Sequence, residues 1–242
     1  MKPPILLAAF VSLIVLSSCV FVAGGSDIKF SSLPPEGKTI PIQPFTAIKA
    51  DGVFNLILQQ GNTESVVVKG DYPSDLKITN DGNTLIVMDT LSNHTTWGIK
   101  KTDIYVTYKQ LDAIETESVG KIKTLDTIRT HRFTFESDGV GENVLLINAD
   151  SVTTSINGVG ADVLAGKANY ASLDDNGVGA LKARDFKVKI LHASVNGVGS
   201  ATVYADSLIY LNVSGVGGVT YYGSARVMEN ETDGVGKVRR GE

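Results

Sequence analysis

The sequence predicts an all-β chain wound as a single-stranded parallel β-solenoid, with rungs of about 19 residues and a β-rich section ahead of them. The first observation behind this is a glycine signature. It reads Ser118-Val119-Gly120, Gly139-Val140-Gly141, Gly158-Val159-Gly160, Gly177-Val178-Gly179, Gly197-Val198-Gly199, Gly215-Val216-Gly217 and Gly234-Val235-Gly236, with final glycines 21, 19, 19, 20, 18 and 19 residues apart. The second is the residue ahead of each signature: Glu117, Asp138, Asn157, Asn176, Asn196, Ser214 and Asp233. Asn-Gly and Asp-Gly accept the positive φ of a sharp corner. Asn157, Gly158 and Gly160, Asn176, Gly177 and Gly179, and Asn196, Gly197 and Gly199 are therefore read as structural turns. The third is period-2 alternation at six and eight residues before the final glycine, as in Phe135 and Phe133, Leu173 and Ala171, Ala193 and Leu191, and Leu211 and Ile209. Thr154 and Asn230 break the pattern in their rungs, while Val152 and Met228 keep it.

Taken in order, residues 1–18 read as a targeting segment. Lys2 supplies a weak positive start, Ile5 to Leu16 is apolar except for Ser12, and Leu16-Ser17-Ser18-Cys19 follows. The run is short for a membrane span. Its end is similar to a bacterial lipobox, in which Cys19 is acylated and becomes the new N-terminus. Two alternatives stay open: an ordinary secretory signal with a chance cysteine, and an uncleaved anchor from Ile5 to Ala23. Each places the rest of the chain outside the cytoplasm. Cys19 is the single cysteine, which excludes an intrachain disulfide.

Residues 19–43 read as a tether, with the linker chemistry of Gly24-Gly25-Ser26 and Ser31-Ser32-Leu33-Pro34-Pro35. The main domain is expected over 44–240. Its front section, 44–101, carries short β-rich runs: Val53 to Leu58, Ser65 to Lys69, Leu76 to Ile78 and Thr84 to Met88, separated by Asn, Asp and Gly. Residues 89–101 read as a loop. A further run, Asp103 to Tyr108, closes the front strands, and rungs take over across about 102–240. Stacking at a strand spacing of about 4.8 Å would set valine over valine and asparagine over asparagine. The valines are expected to build an inward apolar column. The asparagines are expected to form an amide ladder, where stacked acids would repel.

The pattern Phe45-Thr46-Ala47-Ile48-Lys49-Ala50-Asp51-Gly52-Val53-Phe54-Asn55-Leu56, then Gln60-Gly61, then Asp81-Gly82-Asn83-Thr84-Leu85-Ile86-Val87, precedes the Gly-Val-Gly series. This combination resembles the bacterial family described as putative auto-transporter adhesin, head GIN domain, over about residues 45–240. The resemblance implies a right-handed β-solenoid that is lipidated or secreted, and it carries no catalytic motif. An autotransporter barrel does not fit within these 242 residues, so self-export is not expected.

Chemistry beyond the stack is sparse. The formal net charge is −4 and no basic cluster offers a footprint for nucleic acid. Asp174 and Asp175, with His192 one rung on, are the best candidates for a carbohydrate-active site on a β-helix. The competing reading is solvated carboxylates beside a turn. Asn157 to Asp162 superficially matches a calcium-binding nonapeptide, but the period is about 19 rather than nine. His94, His131 and His192 lack ligand spacing, so no metal, cofactor or catalytic residue is assigned. Trp97, near Asn93 and His94, is a carbohydrate-stacking residue or a cap over an open solenoid end. Tyr204, Tyr210, Tyr221 and Tyr222 are a candidate binding surface, or simply strand residues. The expected function is a non-catalytic lipoprotein of the bacterial cell envelope, held in the outer membrane by its N-terminal lipid. It would bind envelope glycan or protein. The alternative is a β-helix carbohydrate-active enzyme of the envelope.

Overall fold

The computed structural model describes residues 37–70, 76–89, 102–233 and 235–242. All belong to the unit Ser32–Glu242. Cys19, Asn93, His94, Trp97, Gly234 and nearly all of the expected 89–101 loop lie outside the described residues. The described chain forms strands only: β1 (Lys38–Ile40), β2 (Ala47–Asp51), β3 (Asn55–Gln60), β4 (Ser65–Gly70), β5 (Leu76–Asp81), β6 (Thr84–Asp89), β7 (Thr102–Tyr108), β8 (Ala113–Thr116), β9 (Val119–Thr124), β10 (Ile128–Ser137), β11 (Val140–Ile156), β12 (Val159–Asp175), β13 (Val178–Val195), β14 (Val198–Val213), β15 (Val216–Tyr222), β16 (Arg226–Thr232) and β17 (Lys237–Arg240).

The long strands β10 to β14 lie parallel, each on the next. The stack continues through β15 and β16 on β14, and β17 on β15. It is a parallel β-solenoid of about 7 turns with a spacing of about 19 residues. The register follows the repeat: Val119, Val140, Val159, Val178, Val198 and Val216 are successive partners, as are the glycines that follow them.

The front section belongs to the same stack. β2 lies parallel between β6 and β8, and β3 parallel between β7 and β9. The order of rungs in space is therefore β6–β7, then β2–β3, then β8–β9, which is not their order along the chain. Val53 bridges Val119, so Asp51-Gly52-Val53 is a further rung corner in which Phe54 replaces the last glycine. Gly52 carries the positive φ instead, at +136°. Antiparallel strands finish this end, β4 on β7 and β1 on β4 along one face, and β5 on β6 along the other. Lys38–Ile40, inside the stretch expected to be tether, is thus a paired strand.

The period-2 columns point inward. Phe133, Phe135, Val152, Thr154, Ala171, Leu173, Leu191, Ala193, Ile209 and Leu211 are all buried. Bulk alternates along the stack, Phe135 next to Thr154 and Leu173 next to Ala193, which keeps a narrow core filled. Met228 and Asn230 are exposed, because β16 pairs with β14 alone among the described residues.

The valine column faces outward, contrary to expectation. Val119, Val140, Val159, Val178, Val198 and Val216 are 46–53% exposed. The inward column lies two residues beyond the final glycine, at Leu56, Ile122, Asn143, Asp162, Leu181, Ala201 and Val219. The corner is governed by backbone contact rather than by apolar side chains. Gly179 sits at φ +151°, and a Cβ on it would lie well under 3.0 Å from the Gly160 carbonyl oxygen. Gly177, expected at positive φ, does not have it. A Cβ there would still meet the Gly158 carbonyl oxygen at 2.6 Å. Both glycines are needed because one rung's main chain rests on the next. The valines stack on one another outside, where β-branched side chains suit an extended surface.

Gly179→Ala is expected to destabilise severely, by at least about 2–3 kcal/mol, because strain and a backbone clash coincide. Val178→Thr, on the solvent side, is expected to stay within about 0.5 kcal/mol. Urea unfolding of the two variants separates the roles, and the reverse order would restore the inward valine column.

Candidate functional site

The asparagines form the expected ladder on the outside of the glycine corner. Asn157 Nδ2 donates to Asp138 Oδ1 at 2.7 Å, Asn176 Nδ2 to Asn157 Oδ1 at 3.1 Å, and Asn196 Nδ2 to Asn176 Oδ1 at 3.0 Å. The Ser214 hydroxyl then donates to Asn196 Oδ1 at 2.6 Å. Every amide is used as both donor and acceptor along the stack, so this row is structural. Asn157, Asn176 and Asn196 lie between consecutive long strands, and each backbone N–H is bonded to the rung before it.

Behind the corner the interior turns polar. The inward column places Asn143 next to Asp162, and Asn143 Nδ2 donates to Asp162 Oδ1 at 2.7 Å and to Ser137 Oγ at 3.2 Å. Thr116, Ser118 and Ser137 line the same space, which is about 10 Å³, no larger than one water. Burial pushes the Asp162 carboxyl up to about 6. The Asn143 hydrogen bond opposes this and the charge of Asp175 adds to it. Asp175 is also raised by burial, against the pull of the Gly177 N–H that it accepts at 3.1 Å. The pair Asp174 and Asp175 is therefore not a solvated turn motif. Asp175 is half-buried and Asp174 Oδ1 is enclosed without a hydrogen-bond partner. His192 belongs to a different environment, stacked on Tyr210 at 4.1 Å between ring centres and 5.5 Å from Tyr170. No group of three or more His, Cys, Asp or Glu among the described residues is placed to hold a metal ion.

The four candidate tyrosines separate. Tyr204 and Tyr222 are register partners on β14 and β15. Lys187 Nζ lies 3.7 Å over the Tyr204 ring, Arg184 Cζ lies 4.2 Å over Tyr222, and the Tyr204 hydroxyl donates to Asp206 at 2.8 Å. Tyr221 packs against the core, and Tyr210 stands with His192 farther along β14. The structure thus sets Arg184 and Lys187 against two of the tyrosines and gives the other two different neighbours.

A shallow groove runs across the rungs at the bend where β11 passes Asn148 to Asp150. Its two adjoining parts measure about 570 and 540 Å³ and share Thr130, His131, Asn148 and Lys167. One register column along it is Arg129, Asn148, Lys167 and Lys187. These stand twelve residues before successive final glycines, a signal readable once the rungs are aligned. Beside it His131 Nδ1 meets Asp150 Oδ2 at 2.8 Å, and Asn169 Nδ2 donates to Asp150 Oδ1 at 3.1 Å.

A parallel β-solenoid with structural corners and distinct outer faces is the class of protein that these features define. The family model described as putative auto-transporter adhesin, head GIN domain, matches residues 44–225, and the chain belongs to that family. Solved structures share the fold. A putative adhesin from Bacteroides fragilis NCTC 9343 is 24% identical over 86% of this chain and 98% of its own, with a TM-score of 0.77. A putative adhesin from Parabacteroides distasonis ATCC 8503 is 21% identical over 85% of this chain and 98% of its own, at 0.62. A protein from the same strain described as a putative lipid binding protein is 18% identical over 85% and 96%, at 0.61. No curated protein matches the chain.

The raised Asp162 carboxyl sets a pH dependence. The folded state holds its proton up to about pH 6, whereas the unfolded chain releases it near 4. Stability therefore falls as pH rises through that window, and the penalty persists above it. Asp162→Asn is expected to stabilise the protein by roughly 2–3 kcal/mol at pH 8 and to change little at pH 4. Urea melts at both pH values check this. A variant less stable at pH 8 would show that the ionised carboxylate is needed.

Proposed function

We propose that this chain is a non-catalytic cell-envelope lipoprotein whose solenoid faces bind envelope glycan or protein. The observation that carries the reading is the placement of the carboxylates. Asp162 lines a space of about 10 Å³ that no polymer can enter, and Asp175, whose charge helps to raise it, is itself half-buried beside the Gly177 corner. The outer faces are instead broad, repeated and rich in hydrogen-bonding groups. Membership of an adhesin-named family supports a surface or envelope location. The lipobox-like Leu16-Ser17-Ser18-Cys19 supports a lipid anchor at Cys19, in the outer membrane. One solved relative is described as a putative lipid binding protein. Here the inner columns are filled by buried side chains, so a lipid would have to lie on an outer face.

Full-length protein in detergent, applied to glycan arrays and to envelope pull-downs, is expected to retain a ligand without altering it. Reducing ends or unsaturated products released from a polysaccharide panel, and lost in Asp174→Ala or Asp175→Ala at unchanged melting temperature, would instead establish an enzyme. Cys19→Ala is expected to leave the protein unlipidated and to release it from the membrane fraction or block its processing. Unchanged lipidation by mass spectrometry and unchanged fractionation would remove the anchor from the account.

A further inference from the structure

The groove at the Asn148 bend gathers positive charge on a protein that is negative overall. Lys109, Arg129, Lys167, Lys187 and Lys189 line its two parts, against a formal net charge of −4. Its two lining acids are outnumbered and hydrogen-bonded: Asp150 accepts from His131 and Asn169 within the groove, and Asp206 from Tyr204. Among the described residues Arg129, Lys167 and Lys189 have no ion-pair partner, and Lys109 reaches Glu64 only at 3.7 Å with most of its side chain exposed. Lys167 and Lys187 are direct register partners on neighbouring rungs, about 4.8 Å apart along the stack. Like charges set opposite each other in this way destabilise a sheet. The fold does not require it, because Asn148 occupies the same column one rung earlier. At the glycine corner the chain meets the same stacking problem with neutral amides, whereas here it retains the lysines.

We propose that this groove binds an acidic polysaccharide, a strand carrying carboxylates along its length. The inference rests on the glycan-binding reading above and names its face and ligand. Lys187 Nζ donates to the Arg184 carbonyl at 2.8 Å and lies over the Tyr204 ring, contacts that leave its charge unpaired. A carboxylate bound between Lys167 and Lys187 would relieve their repulsion through charge-assisted hydrogen bonds, and Arg129, two rungs from Lys167, would meet a second one bidentately. Thr130, Asn148 and Asn169 offer the hydroxyl and amide groups that sugar hydroxyls match. The large exposed apolar side chains lie elsewhere, on the valine column and at Tyr170, Val227 and Met228, which disfavours a membrane surface. No aromatic residue other than His131 lines the groove, which disfavours stacking of unpaired bases.

The test is calorimetric titration of the full chain in detergent with polygalacturonate oligosaccharides, with neutral dextran of matched length as comparison. The oligouronate is expected to bind, more weakly at high salt, and dextran not to bind. Lys167→Gln with Lys187→Gln is expected to weaken binding by about tenfold or more without lowering the melting temperature, and Lys167→Arg with Lys187→Arg to preserve it. Lys77→Gln with Lys237→Gln removes the same charge from other strands and is expected to leave binding unchanged. Equal binding of dextran, or oligouronate binding that survives loss of both groove lysines, would overturn the groove assignment while leaving a glycan-binding solenoid. Retention on phosphatidylglycerol vesicles that depends on the two lysines, without oligouronate binding, would replace the glycan by a membrane. Failure to bind any glycan or envelope protein would remove the broader reading as well.

Discussion

The structure depends on one contact, main chain against main chain at the glycine corner. Each rung's valine N–H donates to the carbonyl of the residue one corner back, as in Val159 to Gly139 at 3.0 Å and Val178 to Gly158 at 2.9 Å. The approach leaves no room for a Cβ at Gly160 or Gly179. Because the corner locks the register, every other position is sorted into a column by its distance from the glycine. Columns facing in need only fill space, so Phe135, Thr154, Leu173 and Ala193 can share one. Columns facing out are free to carry amides, valines or lysines. This division explains how a degenerate sequence keeps a regular fold.

Much of the architecture was legible because the repeat is written in residue types with a backbone reason. The strands, the parallel stacking and the asparagine ladder all follow from the glycine spacing. The direction of the valines was not legible. Each after Val119 sits between two glycines, where the alternation of the preceding strand cannot be carried through the corner. The corner at Gly52 and Val53 was hidden by Phe54, which stands where the signature has its final glycine. The placing of β2–β3 between β6–β7 and β8–β9 is a non-local pairing, and nothing in the neighbouring residues announces it. Tyr204 and Tyr210 look adjacent in sequence, yet the rung bends between them, so they join different neighbours.

The functional surfaces divide along the same line between inside and outside. Asp162 is acidic but enclosed, with its proton favoured by burial, and it belongs to the energetics of the stack. The lysines and Arg129 of the groove are cationic and accessible, at a repeat distance set by strand spacing. A periodic face of this kind suits a periodic ligand better than a single reaction centre does, and the sequence carries its regularity in both places. Of the candidate carboxylates, Asp175 is half-buried and Asp174 has one oxygen enclosed, while His192 stands with Tyr170 and Tyr210. The column twelve residues before the glycines is hard to read in the sequence because its members are not identical.

The central claim is that the glycine corners hold the rungs together. Native-state hydrogen exchange of the Val140, Val159, Val178 and Val198 amides tests it most directly, since each donates across a corner at 2.9–3.0 Å. These amides are expected to exchange only through global unfolding, with the same free energy as the buried strands around Leu173 and Leu191. Rapid exchange at the four valines while those strands stay protected would show that the corners open freely, and that the side-chain core alone holds the solenoid.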